Sequence, residues 1–287
     1  EARLSVDHDD PHRVHETVLD MLDAGNAYDA GYGAVLRAPR VIPPPEATTP
    51  PVFISAYDGD PLQAHIDRLG SMPARWSATK VGTPAEHHQR SLAFLLSHAQ
   101  APAPALPEDA NAGFLPLDVP GFSGLVHWQG RAGSDTLVLH APGGEAALVD
   151  ADDAIRIDLP GHGLSSGWPG AAPTDRNSWM RVIDAVADAM GTRRLLFAPL
   201  PKGEPAQLFP ELRPDRHGAY LSTAWNIVRA RHFFDPWYRA DAQHAIRFDP
   251  AALAPERLAR EHRALVRATA ARAMMIALST GDDDDNS

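Results

Sequence analysis

The sequence predicts an α/β fold, and three observations carry it. Ile155 and Ile157 alternate with Arg156 and Asp158 ahead of Leu159-Pro160-Gly161, so a short strand runs into a turn. Thr136-Leu-Val-Leu139 runs in the same way into His140-Ala-Pro-Gly-Gly144, a second strand-to-turn signal. Beyond these, Trp179, Val182, Ile183, Val186 and Met190 fall at i, i+3, i+4, i+7 and i+11, which is one face of a helix.

The 287 residues suit one large α/β domain or two smaller ones, with ample core. The apolar fraction, 44%, is ordinary for a globular protein. A formal charge of −11 argues against nucleic acid and anionic membrane surfaces as partners. With no cysteine there is no disulfide, no thiolate metal site and no Cys nucleophile. No stretch reads as a membrane span or a signal peptide, so a cytoplasmic location is expected. The first residue is Glu1, from which residues upstream are expected. Proline is frequent, at 27 residues, which fits a high-GC bacterial source.

In chain order, residues 11–24 are expected to form an amphipathic helix, capped by Asp10 and opened by Pro11. Val14, Val18, Met21 and Leu22 share one of its faces. Residues 26–37 continue it beyond a break at Gly25, and the Pro-rich residues 40–51 form a loop. Val52, Phe53 and Ile54 read as a buried strand that ends on Asp58 and Asp60. Residues 61–70 read as a helix and 74–81 as a strand. Thr83-Pro-Ala-Glu86 is a capping box. The helix it opens has His87 and His88 in its first turn and His88, Leu92, Leu95 and Leu96 on one face. Residues 100–113, rich in Pro and Ala, read as a linker, and 126–128 as a strand. Thr174 is expected to cap the helix that closes on Gly191, and residues 194–199 read as a strand. Leu221, Trp225 and Val228 share a helical face, and Phe233, Phe234, Trp237 and Tyr238 follow closely. Residues 255–278 are expected to form one long helix, with Leu258, Leu265, Ala268 and Met275 inside. Residues 281–287 form an acidic tail expected to be disordered.

The strand leading into Asp158-Leu-Pro-Gly-His-Gly-Leu-Ser165 resembles the segment after the fourth strand of α/β-hydrolases. The resemblance implies an α/β-hydrolase-like fold, mainly parallel sheet flanked by helices, with a helical cap to which residues 215–240 are similar. Residues 51–61 resemble the strand that supplies the triad acid, which implies Asp60, with Asp58 as runner-up. The alternative is that Asp60-Pro61 merely starts the next helix. The catalytic histidine is implied near His87 or His88. The family histidine sits ahead of the helix, however, whereas a helix N-terminus disfavours imidazolium. The loop from His140 to Gly144 resembles the His-Gly loop whose backbone amides help to form the oxyanion hole, with Ala141 at the usual glycine. The catalytic candidates are therefore Asp60, His87, His88 and His140. Those for substrate binding are Ala141, Gly143 and Gly144, together with Trp225, Phe233 and Trp237, an aromatic cluster that lines a pocket or is core.

The resemblance fails at the nucleophile. Gly163-Leu-Ser-Ser-Gly167 fits Gly-x-Ser-x-Gly, but Trp168-Pro-Gly170 follows where a helix should start. Ser165 and Ser166 are therefore expected to hydrogen-bond their own loop. The elbow strand and its helix are expected to be missing ahead of Leu195. The matching segments also run in permuted order, with the acid and His half first. The implied layout is a cap-end helix plus the acid/His half over 1–99, a linker over 100–113, the oxyanion-loop half over 114–199, the cap over 200–280 and a tail over 281–287. Pro11-His-Arg-Val-His15 and Pro255-Glu-Arg-Leu-Ala259 open helices alike. That leaves a permuted domain with an extra helix, a slice through a tandem fusion, or halves swapped in a symmetric homodimer.

The function these readings imply is hydrolase-like action on a small, partly apolar ester or related molecule. A non-hydrolytic relative, such as a lyase, a cyclase or a binding protein, is the alternative, and an assembly role is the third. A serine within hydrogen-bond reach of His87 or His88 would mark the first. No cofactor is expected, since no Gly-x-Gly-x-x-Gly or Walker loop is present. No metal is expected either, since His8-Asp9-Asp10 and Asp150-Ala-Asp-Asp153 lack the spacing of a metal loop.

Overall fold

The computed structural model describes residues 10–38, 41–98 and 111–279. Most of the predicted linker, the acidic tail and His8-Asp9 lie outside these residues. The chain divides into two compact units, Glu1–Leu106 and Pro107–Ser287.

The first unit opens with α1, Pro11–Ala24, where the Asp10 side chain accepts from the His12 amide. Gly25, at φ 48°, separates it from α2, Asn26–Arg37, and neither helix buries a residue. Strand β1 is Val52–Tyr57, α3 is Gln63–Ile66, β2 is Trp76–Val81 and α4 is Pro84–Ser97. The two strands are parallel, from Val52 beside Trp76 to Tyr57 beside Val81. Three expectations are corrected here. The helix expected over 61–70 shrinks to four residues, because bonds of the i→i+3 kind flank it (His65 N–H to Leu62 O, Arg68 N–H to His65 O) and Gly70 turns the chain. In β1 only Ala56 is buried, so Val52, Phe53 and Ile54 are not the fully covered run expected. In α4 the Thr83 cap on the Glu86 amide is present, but Glu86 reaches back to the Gly82 amide. The face turned to the sheet is chosen by Phe94, stacked on Phe53 at 5.6 Å, and by His87. Leu92, Leu95 and Leu96 are left exposed, at 49%, 65% and 67%.

The second unit holds β3 (Ala112–Val119), β4 (Phe122–Gly130), β5 (Thr136–Leu139), β6 (Ile155–Ile157), α5 (Arg176–Met190) and β7 (Arg194–Phe197). They are followed by α6 (Pro205–Leu208), α7 (Ala219–Ala230), α8 (Pro255–Arg267) and α9 (Ala271–Ser279). The sheet order is β3-β4-β6-β5-β7. The pairs β3–β4 and β4–β6 are antiparallel, while β5–β6 and β5–β7 are parallel. This sheet is therefore mixed, not mainly parallel. The cause is the hairpin at Pro120-Gly121, which the sequence reading missed, and β3 takes in the last residues of the expected linker. Phe114 and Pro116 disguised this strand. They lie on its outward face, where an edge strand tolerates proline, while Leu115, Leu117 and Val119 turn inward.

The core joins Leu137, Leu139, Ile155 and Ile157 of the sheet to α5 and α9. The α5 face is the one predicted, with Trp179, Val182, Ile183 and Val186 buried and Gly191 left-handed at the C-cap. Its N-cap is Asp175, not Thr174, because the Asp175 carboxylate accepts from the Ser178 amide. In α7 the buried stripe is Tyr220, Ala224, Ile227 and Val228, which leaves Leu221 and Trp225 off it. The long helix expected over 255–278 breaks at 268–270. There the Ala270 amide and the Thr269 hydroxyl both turn to the Gly161 carbonyl. Gly161, at φ 73°, must stay small, because a Cβ would lie 2.7 Å from that of Ala270. No described helix is long and apolar enough to cross a membrane.

Candidate functional site

Asp158 organises the loop after β6. Its carboxylate accepts from the amides of Ala146 (2.6 Å) and Leu164 (2.9 Å) and bonds His127 Nδ1 at 2.8 Å. Burial pushes this carboxyl up, but the bonds from His127, Ala146 and Leu164 outweigh it and hold it below its ordinary range. Ser165 Oγ donates to the Asp158 carbonyl and accepts from the His127 amide, and Ser166 Oγ accepts from the Leu125 amide. Ser165 thus ties the loop to itself and to β4, as expected, whereas the Ser166 hydroxyl bonds β4 and not its own loop. Glu145 lies beside this cluster, and burial, aided by the Asp158 charge, raises it to about 7.

His140, at the end of β5, is buried. Nδ1 meets the Ala141 carbonyl at 2.8 Å, and Nε2 accepts from the Leu159 amide at 3.1 Å. Both ring nitrogens are therefore spent on backbone, and burial lowers its pKa. His162 packs 5.0 Å from it, ring to ring, and burial followed by His140 drives His162 down to about 3. In the loop beyond His140, Pro142 has no amide hydrogen and the Gly144 amide closes on the Ala141 carbonyl. The amides of Ala141 and Gly143 donate to no other described residue. Gly143, at φ 77°, lets this loop approach Phe209, whose ring a Cβ would meet at 2.8 Å.

A cavity of about 390 Å³ lies where β5 and β7 end, with Ala141 and Pro142 from one strand end and Pro199 and Pro201 from the other. Its walls are mostly apolar and include Leu208, Phe209, Ile227, Phe234, Trp237, Ile246 and Leu265; Arg231, His232 and Asp235 are its polar groups. Behind them Glu261, 5% exposed, gathers three donors. Arg231 Nη2 is at 3.0 Å, His232 Nε2 at 2.8 Å and Arg257 Nε at 3.1 Å. Burial raises Glu261, but the Arg231 charge and these bonds prevail, so it stays ionised below its ordinary range. The crevice beyond the carboxyl ends of parallel strands is where open α/β sheets bind ligands.

Of the predicted binding residues, the structure brings Ala141 and Trp237 to this cavity, and Trp237 Nε1 donates to the Leu208 carbonyl. Phe233 stacks on Phe248 at 5.2 Å, and Trp225 packs on His262. In the first unit Asp60 accepts from the Leu62 amide and so starts the following turn, while Asp58 accepts from Gln63. No hydrogen bond joins either carboxylate to His87 or His88 among the described residues. His87 Nδ1 instead lies 2.7 Å from Ser55 Oγ, inside β1. A serine within reach of His87 is thus present, without a carboxylate on that ring. The reading missed His232, Arg231 and Glu261. Glu261 was findable, because it falls three residues after Leu258 and four before Leu265 on the predicted inner stripe.

No family description and no curated protein matches the chain. Among solved structures it is similar to a hydrolase from Pseudomonas aeruginosa, 19% identical over 57% of this chain and 74% of that one, with a TM-score of 0.35. It is also similar to the Cif epoxide hydrolase from Acinetobacter nosocomialis, 14% identical over 69% and 74%, TM-score 0.35. A third is the N-acyl homoserine lactonase AidH complexed with N-butanoyl homoserine, 13% identical over 59% and 71%, TM-score 0.34.

Proposed function

We propose that this chain is an α/β-hydrolase-like protein acting on a small, partly apolar ester or related molecule held in the cavity of the second unit. The observation that carries the reading is the position of that cavity, over Ala141-Pro142 at the ends of two parallel strands, with apolar walls and a few polar groups. In this reading the segments run in permuted order, and the elbow strand and its helix are missing ahead of β7, which Ala198-Pro-Leu-Pro201 follows. The amides of Ala141 and Gly143 serve the oxyanion, and His140 ties the end of β5 to the loop after β6 through the Leu159 amide. The Ser55–His87 pair is the other place for acyl-transfer chemistry, with Asp60 as a turn residue and His88 as its neighbour.

The test is a panel of p-nitrophenyl esters from acetate to hexanoate, with wild type and Ile246→Trp. Ile246 lines the cavity yet is 42% exposed, so the larger ring fills the mouth without disturbing a core. Turnover that falls at least about tenfold in the variant supports the reading. Turnover that the variant leaves unchanged removes the cavity from it.

A second reading is binding without turnover. It is favoured by the cavity lining, in which no described residue carries a hydroxyl or thiol. Its mark is one-to-one ligand binding with no product. Leu95 and Leu96, exposed on α4, favour a symmetric homodimer, which sedimentation at two concentrations decides.

A further inference from the structure

Resting on the reading of the cavity as the site of action, we propose that His232 is its general base and that Glu261 positions it. Nε2 of His232 lies 2.8 Å from a Glu261 oxygen. An ionised carboxylate only accepts, so Nε2 carries the hydrogen, and in the neutral imidazole the lone pair is on Nδ1. Nδ1 has no hydrogen-bond partner among the described residues, and the residue lines the cavity. Glu261 is itself fixed from Arg231 and Arg257, so its two oxygens serve three donors. A base held by a carboxylate that is held in turn is the arrangement that keeps an imidazole in one tautomer and one orientation. His140 cannot serve in its place, since both of its ring nitrogens are bonded to backbone.

With an ester in the cavity, Nδ1 takes a proton from a water molecule. The water oxygen bonds to the acyl carbon, and the carbonyl π pair moves onto the carbonyl oxygen. The tetrahedral species then re-forms its C=O bond and breaks the C–O bond to the alcohol. The imidazolium returns the proton to the departing oxygen. Ester and water are consumed, acid and alcohol are released, and no nucleophilic side chain is needed.

The experiment compares wild type, His232→Ala, Glu261→Gln and Ser55→Ala on p-nitrophenyl butyrate, with binding of butyrate followed by titration calorimetry. His232→Ala is expected to lose kcat on the order of 10²-fold with KM nearly unchanged. Added imidazole should restore part of the rate above its own background, which a merely structural histidine would not allow. Glu261→Gln should cost about tenfold in kcat and spare KM. Turnover that survives His232→Ala but disappears in Ser55→Ala overturns the inference and leaves hydrolysis standing. Butyrate binding without turnover in wild type also overturns it and favours the binding protein. Neither binding nor turnover in wild type removes the inference and the proposed function together.

Discussion

Helices α4 and α5 have 14 and 15 residues, and a side chain caps each at its N-terminus, yet α5 buries Trp179, Val182, Ile183 and Val186 while α4 buries nothing. The difference is not in the helices. Helix α5 packs into a five-stranded sheet with α9 beside it, whereas α4 meets two strands through Phe94 and His87. An amphipathic stripe therefore predicts a helix but not its burial, which depends on how many layers the rest of the chain supplies. Helix α1 makes the same point, since its Val14, Met21 and Leu22 keep the predicted spacing and remain exposed.

The sharpest way to break this contrast is to remove one large ring from each unit. Trp179→Ala should cost about 4 kcal/mol in denaturant unfolding, because the indole is fully buried and its Nε1 bonds the Pro173 carbonyl. Phe53→Ala, half-covered, should cost about 1 kcal/mol. Equal losses would mean that the first unit has a core of comparable weight. Next in size is Asp158→Asn, which turns an amide group toward donors at Leu164 and His127. A loss of about 2 kcal/mol is expected, again confined to the second unit.

A smaller effect depends on pH. Folded Glu145 keeps its proton up to about 7, whereas the unfolded chain gives it up near the ordinary 4.5. Stability from this group is therefore present below that lower value and lost as pH rises through about 7. Glu145→Gln should raise Tm by a few degrees at pH 8 and change little at pH 5. A gain of the same size at both pH values would discard the buried, protonated state. Smallest of all, Leu95→Glu with Leu96→Glu should move stability by no more than about 0.5 kcal/mol. A larger loss, or a change in sedimentation, would mean that a second copy covers these leucines in solution.

What was legible in the sequence was local. The alternation at Ile155 and Ile157, the stripe of α5 and the left-handed Gly191 each need only neighbours along the chain. The helix over 255–278 broke because its joint answers to Gly161, more than a hundred residues earlier. The same distance in sequence hides the candidate site. His232 lies in the turn after α7 and Glu261 in α8, while Ser55 and His87 come from a strand and a helix, and no spacing rule pairs either couple. The expected loop beyond His140 was found at a cavity, but the polar groups there come from segments read only as aromatic cap or apolar stripe.

Strand β7 has a consequence for handling the protein. It pairs with β5 alone among the described residues and exposes Leu196 and Phe197 at 46% and 42%. Such an edge is a template on which another extended chain can grow. Pro199 and Pro201 stand just beyond it and offer no amide hydrogens, so recruited strands can register over about four residues before the ladder ends. Replacing either proline, for instance in a library aimed at the cavity it lines, would lengthen that template and trade a change in selectivity for shelf life.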